Sequence, residues 1–183
     1  MGKTEYTRLL QQHQDRIYSL ALYNLRDADD ASDVTQETFL RLWRHKGELT
    51  ENQVKAWLLR VCHNLCINHV RRRKTVRTYF GTPDSEAVDR LEASPDPETD
   101  PEARLESRQR RQTLLDSMAV LPAETRSIMM LHYYQDLKIH EIAGLLGLKT
   151  GTIKVRLHRA RQALRQVLTQ EQGGLAACKR ETG

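Results

Sequence analysis

The feature that most constrains the fold is a pair of short amphipathic helices with a glycine between them, within residues 137–168. Apolar residues at three- and four-residue spacing predict the first helix over residues 139–146. Gly147 follows, and glycine readily adopts the left-handed backbone that ends a helix. Leu148 gives the turn an apolar anchor, and Thr150 is the predicted N-cap of the second helix. Two helices joined by such a tight turn are typical of the helix-turn-helix motif.

The second helix has an apolar seam and, on the opposite side, a basic and polar surface. In helix-turn-helix proteins this helix enters the major groove of DNA, where its side chains contact base edges while flanking cations contact phosphates. An ordinary amphipathic helix with a solvated basic face is the alternative, and the glycine turn before it favours the DNA-binding interpretation. The seam contains Ile153, Leu157, Ala160 and Leu164, and the opposite side contains Val155, His158, Arg159 and Gln162.

Charge divides the chain into three parts. Lys and Arg outnumber Asp and Glu by 14 to 9 in residues 1–80 and by 13 to 6 in residues 108–183, whereas residues 81–107 contain 2 basic and 9 acidic side chains. The acidic part also contains four prolines, which disfavour helix. We therefore expect a flexible acidic linker at 81–107 between two basic units, with a polar tail at 171–183.

The sequence of the N-terminal unit predicts three helices. Helical periodicity predicts them over residues 4–25, 30–45 and 53–73, with a polar loop at 46–52 before the third. We expect Trp43 to face the core with the other apolar residues of the second helix. No segment alternates with a period of two, so the predicted fold class is all-α, two small helical domains joined by the linker.

Several classes of protein are disfavoured. No apolar run has membrane-spanning length and the N-terminus lacks a secretion signal, so we expect a cytoplasmic protein without direct membrane insertion. Three cysteines in such a chain argue against a disulfide framework. Cys62, Cys66 and His69 share one helical face, but a straight helix supplies too few metal ligands, and we expect packing and no metal site.

Three segments, in order, resemble bacterial sigma factors of the extracytoplasmic-function type within the sigma-70 family. They are DASDVTQETFLRLWRH, VKAWLLRVCHNLCINHVRRRK and LPAETRSIMMLHYYQDLKIHEIAGLLGLKTGTIKVRLHRARQALRQVL. The resemblance implies sigma region 2 over residues 1–80 and sigma region 4 over residues 108–170. It also implies a transcription initiation factor that recruits RNA polymerase core to promoters, with no enzymatic activity, no cofactor and no small-molecule substrate.

The resemblance also assigns roles to residues of the N-terminal unit. The outward face of the second helix corresponds to the surface that binds the β′ clamp helices of polymerase. Loop 47–53 corresponds to the loop that receives a base flipped from the −10 element, and the third helix to the surface that holds the opened strand. The implied polymerase-binding residues are Asp33, Gln36, Glu37 and Arg41. The implied −10 residues are Arg60, His63, Asn64, Asn68, Arg71 and Arg72.

In the C-terminal unit the resemblance implies docking of the second motif helix in the −35 element. Arg159 suits guanine, whose two major-groove acceptors a guanidinium bonds in parallel, and Val155 suits a thymine methyl group. His158 suits either a base or a phosphate. Further implied partners are the polymerase β flap and an anti-sigma factor, and the linker is expected to thread through the polymerase cleft near the RNA exit path. The expected phosphate contacts are Thr150, Thr152, Lys154 and Arg156.

Two other classes share parts of this pattern. A conventional activator or repressor contains a helix-turn-helix but usually adds a dimerisation or ligand-binding domain, and it binds its duplex site without polymerase. A small serine recombinase places a catalytic α/β domain before a helix-turn-helix. That enzyme needs a nucleophilic serine among clustered arginines, whereas Ser19 and Ser32 lie on predicted helices without them.

Overall fold

The computed structural model describes residues 2–45, 49–80 and 112–178. The predicted linker at 81–107 and part of the predicted loop at 46–52 therefore lie outside the described residues. Throughout the described ranges the regular structure is helical, which confirms the all-α prediction for them. None of the described helices combines the length and the apolar character needed to cross a membrane.

The N-terminal unit consists of α1 (Lys3–Leu25), α2 (Ala28–Arg44) and α3 (Glu51–Phe80). Asp27 lies between the first two helices and caps α2, because its carboxylate accepts a hydrogen bond from the Asp30 amide at 2.9 Å. The three helices follow the predicted order, and α3 continues seven residues beyond its predicted end. All three pack against one another.

The predicted apolar faces of these helices are mostly inside. Ile17 on α1, Leu42 on α2 and Leu58 on α3 are at most 2 % exposed. The prediction for Trp43 is wrong, since its side chain is 48 % exposed. Its ring meets Tyr6 edge-on at a centroid distance of 5.0 Å, so one edge packs on α1 while the rest faces outward.

The C-terminal unit is built around the predicted helix-turn-helix. Gly147 has φ 67° and its amide donates to the Ala143 carbonyl, which confirms the glycine-ended first helix. The second helix already includes Thr150, and it continues through Cys178, past the predicted start of a polar tail at 171. The elements are α4 (112–117), a 3₁₀ turn (Met118–Val120), α5 (Ala123–Met129), a π-helical turn (Met130–Tyr134), α6 (Ile139–Leu146) and α7 (Thr150–Cys178).

One hydrophobic core runs through both units. Helix α5 and the π-helical turn pack against α1, α5 also packs against α3, and α6 contacts α3. Ile128 and Leu131, from the C-terminal unit, are fully buried in the same cluster as Leu20 and Leu59 from the N-terminal unit. The two units are therefore closely packed.

Candidate nucleic-acid and protein interfaces

The outward face of α7 is the first candidate interface. Ile153, Leu157 and Ala160 are at most 2 % exposed and hold α7 against the rest of the C-terminal unit. On the opposite side, Val155 is 49 % exposed, and His158 and Arg159 are also exposed. The structure therefore presents the predicted base-reading side chains together on one open helix face.

The remaining predicted −35 residues differ in accessibility. Thr150 and Lys154 are exposed, whereas Thr152 is partly buried. Arg156 is also partly buried, and its Nη1 lies 2.9 Å from Oε2 of Glu124 on α5. Its guanidinium therefore already contacts a carboxylate within the chain.

The second candidate interface is the outward face of α2. Asp33 and Gln36 are exposed, and Glu37 accepts a hydrogen bond from Arg41 Nε at 2.7 Å. The sequence prediction missed Leu40, which is 44 % exposed. At about 100° per residue, Leu40 falls between Gln36 and Glu37 on the helical wheel, and that position was the available signal. An exposed leucine within a polar face adds an apolar contact that charged groups cannot supply.

The third candidate interface is the part of α3 assigned to the −10 element. Most residues of this set are exposed, but His63 is partly buried. Its Nδ1 lies 2.6 Å from Ser127 Oγ on α5. Burial lowers the pKa of His63, Glu124 partly opposes this effect and Arg156 adds to it, so that the pKa is about 4. His63 is thus neutral and covered by the C-terminal unit. The exposed residues of the set are Arg60, Asn64, Asn68, Arg71 and Arg72.

Arg71 is exposed but forms an ion pair with Glu124. Its Nη2 lies 3.5 Å from Oε1 of Glu124, whose other oxygen contacts Arg156. One carboxylate therefore contacts a predicted −10 residue and a predicted −35 residue. Beside the predicted base-flipping loop, His45 and Trp57 place their rings 5.2 Å apart; residues 46–48 of that loop lie outside the described residues.

Arg126 on α5 is a residue that sequence reasoning missed altogether. Its side chain is only 9 % exposed, and its Nη2 donates a 2.8 Å hydrogen bond to the Asn24 carbonyl in the last turn of α1. Burial, with help from Arg26, lowers the pKa of Arg126 to about 10, so it stays charged at neutral pH. Arginine is rarely buried without a partner, and a single arginine close to the apolar run IMML was the signal for such a contact.

The cysteines and the histidine on α3 lie in different environments. Cys62 and Cys66 are free thiols with no exposed surface. The hydrogen bond with Cys66, together with burial, raises the pKa of Cys62. His69 Nε2 instead lies 3.1 Å from Asp30 Oδ2. Within the part of the chain that the structure describes, no three potential ligands come together.

Comparison with known families and proteins matches both units. The family described as sigma-70 region 2 matches residues 9–76, and the family described as sigma-70, region 4 matches residues 111–164. The chain is 35 % identical over 162 residues to the extracytoplasmic-function sigma factor SigL of Mycobacterium tuberculosis, covering 87 % of this chain and 86 % of SigL. It is 36 % identical over 163 residues to SigE of Mycolicibacterium smegmatis, covering 89 % of this chain but 61 % of that relative.

A solved structure has a similar fold. It is that of the sigma factor RpoE in complex with the anti-sigma factor NepR from Bartonella quintana. The alignment has a TM-score of 0.66 and 21 % identity, and covers 90 % of this chain and 97 % of the other. At that identity the likeness concerns the fold.

Proposed function

Because the chain belongs to the extracytoplasmic-function sigma factors of the sigma-70 family, we propose that it directs RNA polymerase core to promoters by contacting a −10 and a −35 element. Sigma factors are not enzymes, and the polymerase performs the chemistry. In this proposal residues 1–80 act as region 2 and residues 108–170 as region 4. Residues 81–107 link them.

The observation that carries the proposal is the open basic face of α7. Arg159 supplies a bidentate donor for guanine, His158 lies beside it, and Val155 offers apolar contact to a thymine methyl group. Exposed Thr150 and Lys154, near the start of α7, are placed to contact flanking phosphates. Thr152 and Arg156 complete the proposed −35 set.

The proposed core-binding surface is the outward face of α2. Asp33, Gln36 and Glu37 provide charge-assisted and amide hydrogen bonds for the β′ clamp helices. Arg41 holds Glu37 in place at 2.7 Å. We add Leu40 as the apolar centre of this surface, because half-exposed apolar groups within a polar rim are typical of protein interfaces.

The proposed −10 surface is the outer side of α3. Arg60, Arg71 and Arg72 neutralise strand phosphates, and Asn64 and Asn68 hydrogen-bond to bases or sugars. Unstacking a base costs a few kcal/mol, which contacts with this surface must offset. His63 belongs to the set once the C-terminal unit no longer covers it.

The other proposed partners are the polymerase β flap, bound by the C-terminal unit, and an anti-sigma factor. The solved relative described above was captured with an anti-sigma factor, which supports the second of these. We assign the protein to the cytoplasm, where the polymerase operates.

Run-off transcription with purified core polymerase over a promoter library tests the proposal. We expect core alone to give no specific transcripts, and addition of the protein to yield a family of promoters with two shared elements. Arg159→Ala should reduce output from those promoters about 5- to 150-fold, since a bidentate base contact is worth about 1–3 kcal/mol. Arg165→Ala, an equal charge change at an exposed position of the same helix, is the matched control.

Failure of the protein to stimulate any promoter, or equal losses in the Arg159→Ala and Arg165→Ala variants, would contradict the proposal. Footprinting gives a second criterion. A sigma factor protects both elements only together with core polymerase, whereas a conventional repressor protects its duplex site alone.

A further inference from the structure

Glu124 brings together two arginines that the proposed function assigns to different promoter elements. Arg71 of the −10 set and Arg156 of the −35 set contact the two oxygens of this one carboxylate, at 3.5 and 2.9 Å. Like a DNA phosphate, a carboxylate carries one negative charge and offers two acceptor oxygens to a guanidinium. Both arginines are therefore engaged as they would be on DNA, but by the chain itself.

This arrangement is incompatible with binding both elements of a promoter. Their positions differ by about 25 base pairs, which corresponds to roughly 85 Å along B-DNA at about 3.4 Å per base pair. Arg71 and Arg156 meet instead on a single side chain. The two units must separate before both surfaces engage DNA.

Specific contacts hold the units together. Buried Arg126 donates to the Asn24 carbonyl at 2.8 Å, which satisfies an acceptor that the end of α1 would otherwise leave open. Arg26 Nη2 lies 3.0 Å from Asp116 Oδ1, at the edge of the same contact. His63 and Ser127 meet at 2.6 Å. These polar contacts surround the shared apolar core, so the interface resembles the interior of a protein.

We propose that this closed arrangement is a self-inhibited state, in which Glu124 takes the place of a DNA phosphate between the two arginines and Arg126 acts as the latch. The proposal depends on the proposed function and adds its regulation. Opening the latch releases Arg71 and Arg156 from Glu124 and exposes His63 at the same time. Thirty-one residues separate Phe80 from Gln112, and a chain of that length can reach at most about 100 Å, enough for the span required.

Arg126→Ala in the full-length protein tests the latch. Small-angle X-ray scattering measures the radius of gyration. A compact chain of this length has a radius of about 16 Å, which we expect for the wild type, and we expect a larger radius for the variant. Fluorescence anisotropy measures affinity for a labelled random-sequence duplex long enough to span both elements. Losing a hydrogen bond to a charged group should raise the open fraction, and with it the apparent affinity, about tenfold or more.

The direction of the affinity change distinguishes opening of the interface from a simple loss of positive charge. Removing a positive charge by itself weakens binding to DNA, so a gain in affinity has to come from opening. Arg8→Ala is the matched control, because Arg8 pairs with Glu51 inside the N-terminal unit at 2.8 Å. We expect this control to keep the wild-type radius and to bind DNA slightly more weakly.

If circular dichroism shows that Arg126→Ala misfolds, a second variant, Arg26→Gly, tests the same interface. It removes the contact with Asp116, and its backbone at φ 60° suits glycine. A wild-type protein that is already extended, or variants that leave both radius and affinity unchanged, would overturn the proposal. Variants that open and bind DNA more tightly, but never support transcription with core polymerase, would instead contradict the proposed function.

Discussion

Acidification should open the interface between the two units through His63. Its ring meets Ser127 at 2.6 Å and lies near Glu124 on α5 and Arg156 on α7. Burial lowers the pKa of His63 from 6.5 to about 4, so the closed state strongly prefers the neutral ring. Once the units separate, the ring becomes solvated and takes up a proton near its ordinary pKa.

The direction and the size of the pH effect on the closed state follow from this difference in pKa. The closed state binds fewer protons than the open state, so its stability is complete above about pH 7 and declines as the pH falls from about 6.5 towards 4. At about 1.4 kcal/mol per pKa unit, the complete effect is about 3 kcal/mol, and at pH 5 it is about 2 kcal/mol. That is enough to shift the ratio of closed to open molecules about thirtyfold.

Two measurements check this expectation between pH 7.5 and 5, above the range in which most carboxylates titrate. Proton NMR of the histidine ring signals, assigned with the variant His63→Gln, shows whether His63 has a titration midpoint within this range. Small-angle scattering follows the radius of gyration over the same range. His63→Gln retains a side chain that can hydrogen-bond to Ser127 but no longer titrates, so its radius should change much less with pH. A midpoint near 6.5, or identical responses of wild type and variant, would refute the reasoning.

Three further predictions concern single side chains. Leu40→Ala should weaken binding to core polymerase at least severalfold without lowering thermal stability, because the side chain is already 44 % exposed; an unchanged affinity in a pull-down titration would remove it from the core-binding surface. Gly147→Ala should destabilise the protein by about 1 kcal/mol, since alanine is strained at φ 67° although no atom lies within 4 Å of the added carbon. Gly144→Ala, equally unobstructed within a helix, should stabilise it by up to about 1 kcal/mol, and equal effects in urea denaturation would contradict the argument. Ile153→Ala should cost about 2–5 kcal/mol, because the side chain is fully buried, whereas Val155→Ala should change the free energy of unfolding by less than about 0.5 kcal/mol; a small loss for Ile153 would mean that α7 is not anchored as described.

Local patterns determined the helices and the turn of the DNA-binding motif. The spacing of Ile153, Leu157 and Ala160 fixes which side of α7 is apolar, and Gly147 alone among neighbouring residues is suited to the left-handed turn. The same reasoning placed Asp33 and Gln36 on an open face. Such features depend on residues a few positions apart, so the sequence carries them directly.

Only the tertiary structure decided which faces meet. Periodicity identifies a helix face but not its partner, and Trp43, predicted inside, lies half-exposed against Tyr6 of α1. The outward position of Leu40, by contrast, follows from the helical wheel alone. The contacts of Arg126 with Asn24 and of His63 with Ser127 join residues 102 and 64 positions apart. No local pattern specifies such pairs, because they form only when surfaces from distant parts of the chain come together and the free energy of burial and hydrogen bonding selects the match.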